Sequence, residues 1–127
     1  MDSRGVQAAV CGLRSAVGVA SWLAPAYSGR LFGLGRTFAQ PDAALMARLF
    51  AVRDLALAQA LRHPDPQVQR QVLKVGVAVD SVDAVASLVA ASRGGRKTGL
   101  VGVALGALLF AGMGVVALRP AAQNTRP

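Results

Sequence analysis

Cysteine, histidine and charged residues are all scarce in this chain of 127 residues. The single cysteine, Cys11, excludes an internal disulfide and a cage of thiolate metal ligands, and its place in an apolar run predicts a packing role. The single histidine, His63, lies in a polar turn, where a solvated side chain is expected rather than a metal ligand or proton relay. No motif of a hydrolase, a metalloprotease or a phosphate-binding loop is present. The sequence therefore predicts no catalytic residues, no metal, no cofactor and no enzymatic activity.

Only 16% of the residues are charged, whereas 54% are hydrophobic and the mean hydropathy is +0.45. That balance is unusual in a soluble domain and typical of a membrane protein. A chain of this length is expected to form one compact unit, here residues 1–118, followed by a polar tail at 119–127. A soluble alanine-rich bundle is the structural alternative, and purification without detergent would establish it.

Four apolar runs, each close to the roughly 20 residues that cross a bilayer core, predict helices over about 6–24, 43–61, 72–91 and 99–118. The predicted fold class is all-α, a bundle of four transmembrane helices. A signal peptide is a rival interpretation of the first run, but Arg14 in its middle and a weak basic leader favour a retained span. We expect an interfacial loop with an amphipathic turn over 26–42, and a short polar turn over 62–70.

Several charged residues fall near the midpoints of these predicted helices. Each would cost roughly 2.5 to 3.5 kcal/mol at the centre of a lipid-exposed helix. We therefore expect antiparallel packing to unite them in a buried network, whose members are Arg14, Arg53, Asp54, Asp80 and Asp83. The simplest pairing joins Arg53 to Asp80 or Asp83, and Arg14 to Asp54 or the remaining aspartate. Because charges surround the second helix, we expect it to be the innermost helix or to contact another copy.

Two interpretations of this network remain open from the sequence. As structural glue, the ion pairs determine which helices meet, and the protein is an accessory subunit or a self-associating bundle. As a path for protons or a small polar solute, the network uses Asp80 and Asp83 as titrating groups, because intramembrane carboxylates beside arginines serve such relays. An intramembrane enzyme is a third interpretation, in which these two aspartates would need a further ligand from another helix to hold a metal.

Small residues predict close helix packing in two places. Gly12 and Ala16 belong to a stripe that recurs every four residues along the first helix, and Gly102 and Gly106 form a GxxxG pair in the fourth. Small side chains let another backbone approach, either within the bundle or in a second copy. A homo-oligomer and a membrane-protein partner are therefore both open.

Three arginines and three aspartates inside the predicted spans cancel, so the formal charge of +8 lies in the loops, the tails and Lys74 near the start of the third helix. A basic residue near an anionic membrane surface contributes roughly 1 kcal/mol of binding, so we expect the loops to contact anionic lipid headgroups. Nucleic acid is the competing partner of a basic chain. It is not expected, because the basic residues are spread over every loop rather than gathered on one face with aromatics. The two sides of the bundle are almost equally basic, which leaves the orientation open.

The segment 48–58, RLFAVRDLALA, followed by 79–85, VDSVDAV, resembles a family of small bacterial four-helix membrane proteins classed only as a domain of unknown function. The resemblance extends over about 12–119. It is carried by an Arg-Asp dipeptide and an Asp-x-x-Asp pair, here Arg53-Asp54 and Asp80/Asp83. It implies a four-span protein of the bacterial cytoplasmic membrane, and it implies no activity.

Overall fold

A computed structural model describes residues 2–120, and five α-helices form most of this part of the chain. In chain order they are α1 (Ser3–Leu23), α2 (Pro25–Leu31), α3 (Pro41–Ala60), α4 (Pro66–Ser92) and α5 (Lys97–Ala117). No strand occurs among the described residues, so the all-α class is confirmed. The four long helices overlap the four predicted ones, and α2 lies within the predicted interfacial loop. Most of the predicted polar tail, 121–127, lies outside the described residues.

Aspartate caps and prolines determine where α1 and α4 begin. The Asp2 carboxylate accepts a hydrogen bond from the Gly5 N–H at 2.8 Å, and the Asp65 carboxylate accepts one from the Gln67 N–H at 2.8 Å. Pro66 is the first residue of α4, where its missing N–H would have had no helical partner. The predicted polar turn over 62–70 is therefore wrong in its second half. Proline ends a helix when it falls in the interior, but the first turn of a helix tolerates it.

The predicted interfacial loop is an ordered part of the bundle. After α2, the backbone turns through two glycines with positive φ, Gly33 at 76° and Gly35 at 60°, and then through a short 3-10 turn at Thr37–Ala39. Arg96 joins this loop to the start of α5, because its Nη1 donates to the Leu34 carbonyl oxygen at 3.0 Å. The loop thus holds one end of the bundle together.

The four long helices form a ring. α1 packs against α3 on one side and α5 on the other, α4 packs mainly against α5, and the contact between α3 and α4 is slight. α1 and α4 consequently lie across the ring from each other. The prediction that α3 is the innermost helix is wrong, because α3 exposes Leu49, Phe50 and Val52 on its outer side. Asp54 lies on the inner face of α3 with Ala47, Ala51 and Ala58. Contact of α3 with another copy stays a prediction.

The interior of the ring is built from small and polar side chains, and its outer surface from large apolar ones. The buried hydrophobic positions of α3, α4 and α5 are mostly alanines: Ala47, Ala51, Ala58, Ala84, Ala91, Ala104 and Ala111. Arg14, Asp54 and Asp80 are buried among them. Large apolar side chains are exposed on each of the four long helices, among them Leu13, Val19, Leu45, Leu49, Phe50, Val82, Val85, Leu105 and Leu109. A soluble domain has the opposite distribution.

Two of the long helices, α1 and α5, are long and apolar enough to cross a membrane, with mean hydropathies of 1.3 and 2.3. Within the described residues α3 and α4 do not meet the same criterion, so a bundle of four spans is not established by hydropathy. The two qualifying helices are consistent with membrane association.

We expect Gly99→Ala to lower the apparent melting temperature in mild detergent. A Cβ on Gly99 would lie 2.6 Å from Leu34 Cδ2 and 2.8 Å from the Gly33 carbonyl oxygen, and such overpacking costs about 1 to 3 kcal/mol. Gly106→Ala, on the same helix, is the control, because a Cβ there meets no atom within 4 Å. The control should be unchanged or slightly stabilised by its better helix propensity. Equal losses in the two variants would contradict the close contact between α5 and the Gly33 loop.

Candidate functional site

Arg14 of α1 is the centre of the charge network. Its Nη1 donates to Asp54 Oδ1 of α3 at 2.8 Å, and its Nη2 donates to Asp80 Oδ2 of α4. On another side, Arg14 Cζ lies 4.7 Å from the centroid of the Phe110 ring of α5, a cation–π contact. Only 3% of the Arg14 side chain is exposed. One guanidinium group therefore connects all four long helices, including α4, whose backbone α1 does not approach closely.

A second pair extends the network towards the surface between α3 and α4. Arg53 Nη1 lies 2.6 Å from Asp83 Oδ2, and Arg53 Nη2 lies 3.5 Å from the same Asp54 oxygen that Arg14 contacts. The Arg53 guanidinium lies over the Phe50 ring, 5.0 Å from its centroid. Its Nε is buried without a hydrogen-bond partner in the described part of the chain. With 30% of the Arg53 side chain exposed, this pair is less deeply buried than the Arg14 pairs.

Helical periodicity places these charges on the inner faces. On α1 the buried positions follow each other every three or four residues: Val6, Val10, Arg14, Gly18 and Ser21. Gly18 lets α3 approach closely, because a Cβ there would lie 3.1 Å from the Ala51 carbonyl oxygen. On α4, Gly76 precedes Asp80 by one turn, and a Cβ on Gly76 would lie 3.3 Å from Arg14 Nη2. The absence of a side chain at Gly76 leaves room for the guanidinium.

The structure brings together all five charged residues that the sequence placed in the network, and the buried salt bridges are confirmed. The pairing also lies within the predicted alternatives: Arg53 contacts Asp83, while Arg14 contacts both Asp54 and Asp80. Two residues beside Arg14, Phe110 and Gly76, were not predicted from the sequence to be its neighbours. Phe110 is the sole aromatic residue of α5 and lies near its middle, at the depth of the charged residues. This position could have indicated a contact with Arg14.

The predicted packing residues have mixed outcomes within the chain. A Cβ on Gly102 would lie 3.0 Å from the Phe32 carbonyl oxygen, so this glycine lies close to the segment that follows α2. A Cβ on Gly106 or on Gly12 would have open space around it, with no atom within 4 Å, and Ala16 is exposed. Within residues 2–120 these three positions therefore make no close helix contact; Gly12 and Ala16 are exposed and Gly106 is half-buried. Contact with a second copy stays a prediction.

A compact apolar cluster separates the network from the end of the bundle where α1 and α4 begin. Its buried members are Val6, Val10, Leu61 and Leu73. Leu61 and Leu73 line a small void of about 10 Å³ that touches Arg14, a volume close to that of one water molecule by the same measure. The same two leucines line a larger open cavity at this end. The apolar cluster thus stands between Arg14 and the solvent-facing end.

The arrangement is suited to fixing helices rather than to binding a metal. The network contains two guanidinium groups and three carboxylates, and both arginines are held between carboxylate and aromatic groups. In residues 2–120, no three histidine, cysteine or acidic side chains are grouped closely enough to hold a metal ion. The fold and site define a small helical bundle held by a buried ion-pair network.

Comparisons with models of known protein families, with curated proteins and with solved structures found no match. The predicted resemblance to small bacterial four-helix membrane proteins therefore stays a prediction.

Arg14→Met should strongly destabilise the bundle. Removal of one partner leaves the Asp54 and Asp80 carboxylates buried and uncompensated, which typically costs about 3 to 5 kcal/mol. Arg48→Gln is the matched control, since Arg48 is exposed and its Nε contacts only the Trp22 carbonyl oxygen, at 3.3 Å. The measurement is thermal unfolding in mild detergent.

A rescue variant separates lost charge balance from lost volume. Arg14→Met combined with Asp54→Asn and Asp80→Asn removes the uncompensated carboxylates and should recover a large part of the stability that the single change loses. A triple variant as unstable as Arg14→Met would contradict an electrostatic origin of the loss.

Proposed function

We propose that the protein is a four-span integral membrane bundle of the bacterial cytoplasmic membrane, without enzymatic activity, that acts as an accessory subunit or associates with itself. The observation that carries the proposal is the distribution of side chains. Charged and small residues are inside, and Leu, Val and Phe cover the outside of all four long helices. Lipid is a solvent in which exposed apolar side chains are favourable and exposed charges are costly.

The charged positions of α3 and α4 support this proposal, although they lower the hydropathy of these helices. Asp54 and Asp80 are turned inwards and paired with Arg14, so lipid would not meet them. Lipid would instead meet side chains such as Leu49 and Val82, which are 55% and 66% exposed. The mean hydropathy of a helix averages both faces and underestimates the apolar character of the outer one.

Two further residues fit a bilayer boundary. Arg48 lies outside the network, is exposed, and reaches towards the end of α1, where its Nε donates to the Trp22 carbonyl oxygen. A long basic side chain near a helix end can extend to the headgroup region, and Trp is enriched at that depth. The arginines of the loops and helix ends would then face anionic headgroups, and exposed small residues such as Gly12 and Ala16 would be available to a second copy or a membrane-protein partner.

In this proposal the network is structural. Arg14 contacts three other helices at once, and a register that separated it from Asp54 or Asp80 would leave a carboxylate buried without its partner. The apolar cluster at Val10, Leu61 and Leu73 supports this role over conduction, because it separates Arg14 from the nearest open cavity.

If four helices span the membrane, consecutive connections between them lie on opposite sides of it. In a Cys11→Ser background, single cysteines at Arg36 and Arg93 should be labelled by an impermeant maleimide from one side of the membrane, and a cysteine at His63 only from the other side. All three positions are exposed, so differences in labelling would report the membrane rather than burial. The measurement is labelling of intact and of permeabilised spheroplasts. Equal labelling of all three, with the protein in the soluble fraction, would establish the soluble bundle instead.

A second candidate function is proton-coupled transport or conduction of a small solute. It is favoured by one observation: the network holds three carboxylates against two guanidinium groups, so a proton or cation could balance the third. Asp80 and Asp83 would then carry the titrating groups.

Proton flux into liposomes distinguishes the two candidates. The structural proposal predicts that purified protein adds no flux above protein-free liposomes, and that Asp83→Asn does not change this. Asp83 is the suitable position because its side chain is 22% exposed, whereas that of Asp80 is 4% exposed and its loss would disturb folding. Flux that depends on the protein and is abolished by Asp83→Asn in an intact bundle would favour transport.

A further inference from the structure

An open cavity of about 920 Å³ lies at the end of the bundle where α1 and α4 begin and where α3 and α5 end. Its wall is formed by α1, α4, the end of α5 and the two residues that follow α3, Leu61 and Arg62. It lies beyond the apolar cluster and contains no member of the charge network, so it is separate from the site described above.

The cavity is positively charged. Arg4 of α1, Arg62 after α3 and Arg70 of α4 line it, and among residues 2–120 no acidic side chain does. Within residues 2–120 none of these three arginines forms a salt bridge. The two nearest aspartates, Asp2 and Asp65, are engaged as N-caps of α1 and α4. The three guanidinium groups make the cavity complementary to an anion such as a phosphate or carboxylate.

Apolar and small residues form the rest of the wall. The apolar floor of the cavity is formed by Leu61, Leu73 and Leu118. Its side along α1 is formed by the small residues Ala8 and Gly12. A methyl group added at Gly12 would meet no atom of the described residues within 4 Å, so the small-residue stripe leaves space at this point instead of a helix contact. Two of the three amide side chains that line the cavity are occupied with each other and with backbone: Gln7 Nε2 donates to Gln69 Oε1 at 2.8 Å, and Gln69 Nε2 donates to the His63 carbonyl oxygen at 2.7 Å. A cationic rim above an apolar floor fits an anionic amphiphile.

We propose that this cavity binds an anionic phospholipid, with its phosphate between Arg4, Arg62 and Arg70 and the first part of an acyl chain against Ala8 and Gly12. The inference rests on the proposed membrane location, which puts this end of the bundle at the headgroup level. Lipid is chosen over a free phosphate ion because the apolar floor and the volume exceed what a small anion uses.

The test uses the full chain purified in an uncharged maltoside detergent. Native mass spectrometry counts retained lipid after addition of phosphatidylglycerol or phosphatidylcholine at equal concentration. Cys11, the single cysteine, lines the cavity, so its rate of maleimide labelling reports occupancy at this place. We expect preferential retention of phosphatidylglycerol, with slower Cys11 labelling, and no slowing by phosphatidylcholine or by inorganic phosphate.

Charge-removing variants locate the headgroup. Arg4→Gln and Arg70→Gln should each weaken phosphatidylglycerol binding about fivefold, the value of one basic residue near an anionic headgroup. Arg93→Gln, the same change at an exposed position at the other end of the bundle, should leave binding unchanged. Arg62 is left intact because its Nε contacts Cys11 Sγ at 3.5 Å and its loss would alter the labelling itself.

Each alternative outcome overturns a different statement. Equal retention of the two lipids, or equal loss in Arg70→Gln and Arg93→Gln, would refute the lipid site. Protection of Cys11 by inorganic phosphate as strong as that by phosphatidylglycerol would identify a small-anion site instead. A protein that stays soluble without detergent would refute the membrane proposal, whereas a detergent-dependent protein that shows no lipid preference would refute this inference alone.

Discussion

A guanidinium group that is cut off from water must be neutralised where it lies, and this requirement governs the arrangement of the bundle. Arg14 is 3% exposed and finds its counterions on two other helices, Asp54 on α3 and Asp80 on α4, while Phe110 of α5 covers its face. Short hydrogen bonds to a charged group have strict geometry. Only a few registers of the four helices therefore pair every one of these buried charges; the others would leave a charge uncompensated in an apolar environment.

The small interior residues follow from the same requirement. A long side chain can cross the ring only if its neighbours leave space, and Gly76 provides that space beside the Arg14 guanidinium, while Gly18 lets α3 approach α1 closely. Buried alanines at positions such as Ala51 and Ala84 let the neighbouring helices pack closely elsewhere in the ring. The large apolar side chains are thereby left for the outside. In water such a surface would favour aggregation, whereas in lipid it costs nothing, and this difference connects the ion pairs to the proposed membrane location.

The two ends of the bundle differ in chemistry. At one end the Gly33 loop folds against the start of α5 and is held by Arg96, so the helices are closed off. At the other end the helices separate into an arginine-lined cavity above the Val10 and Leu73 layer. The proposed structural role of the charge network and the proposed lipid site at the open end rest on different interactions. The first concerns charges that pair with one another within the chain, and the second concerns arginines that form no salt bridge among the described residues.

Sequence alone determined the helical class, the approximate positions of the four long helices and the five members of the charge network, because hydrophobic run length and the cost of an unpaired charge are local quantities. It also limited the pairing to a few alternatives. It did not reveal that α4 begins at Pro66, since a proline can either end or start a helix. Which face of each helix turns inwards was decided only in the tertiary structure, where Arg14 reaches across the ring to both Asp80 and Asp54, and Gly12 and Gly106 have no close neighbour among the described residues. Small residues allow close approach but do not attract a particular partner, whereas opposite charges do, and the partner is a property of three-dimensional packing.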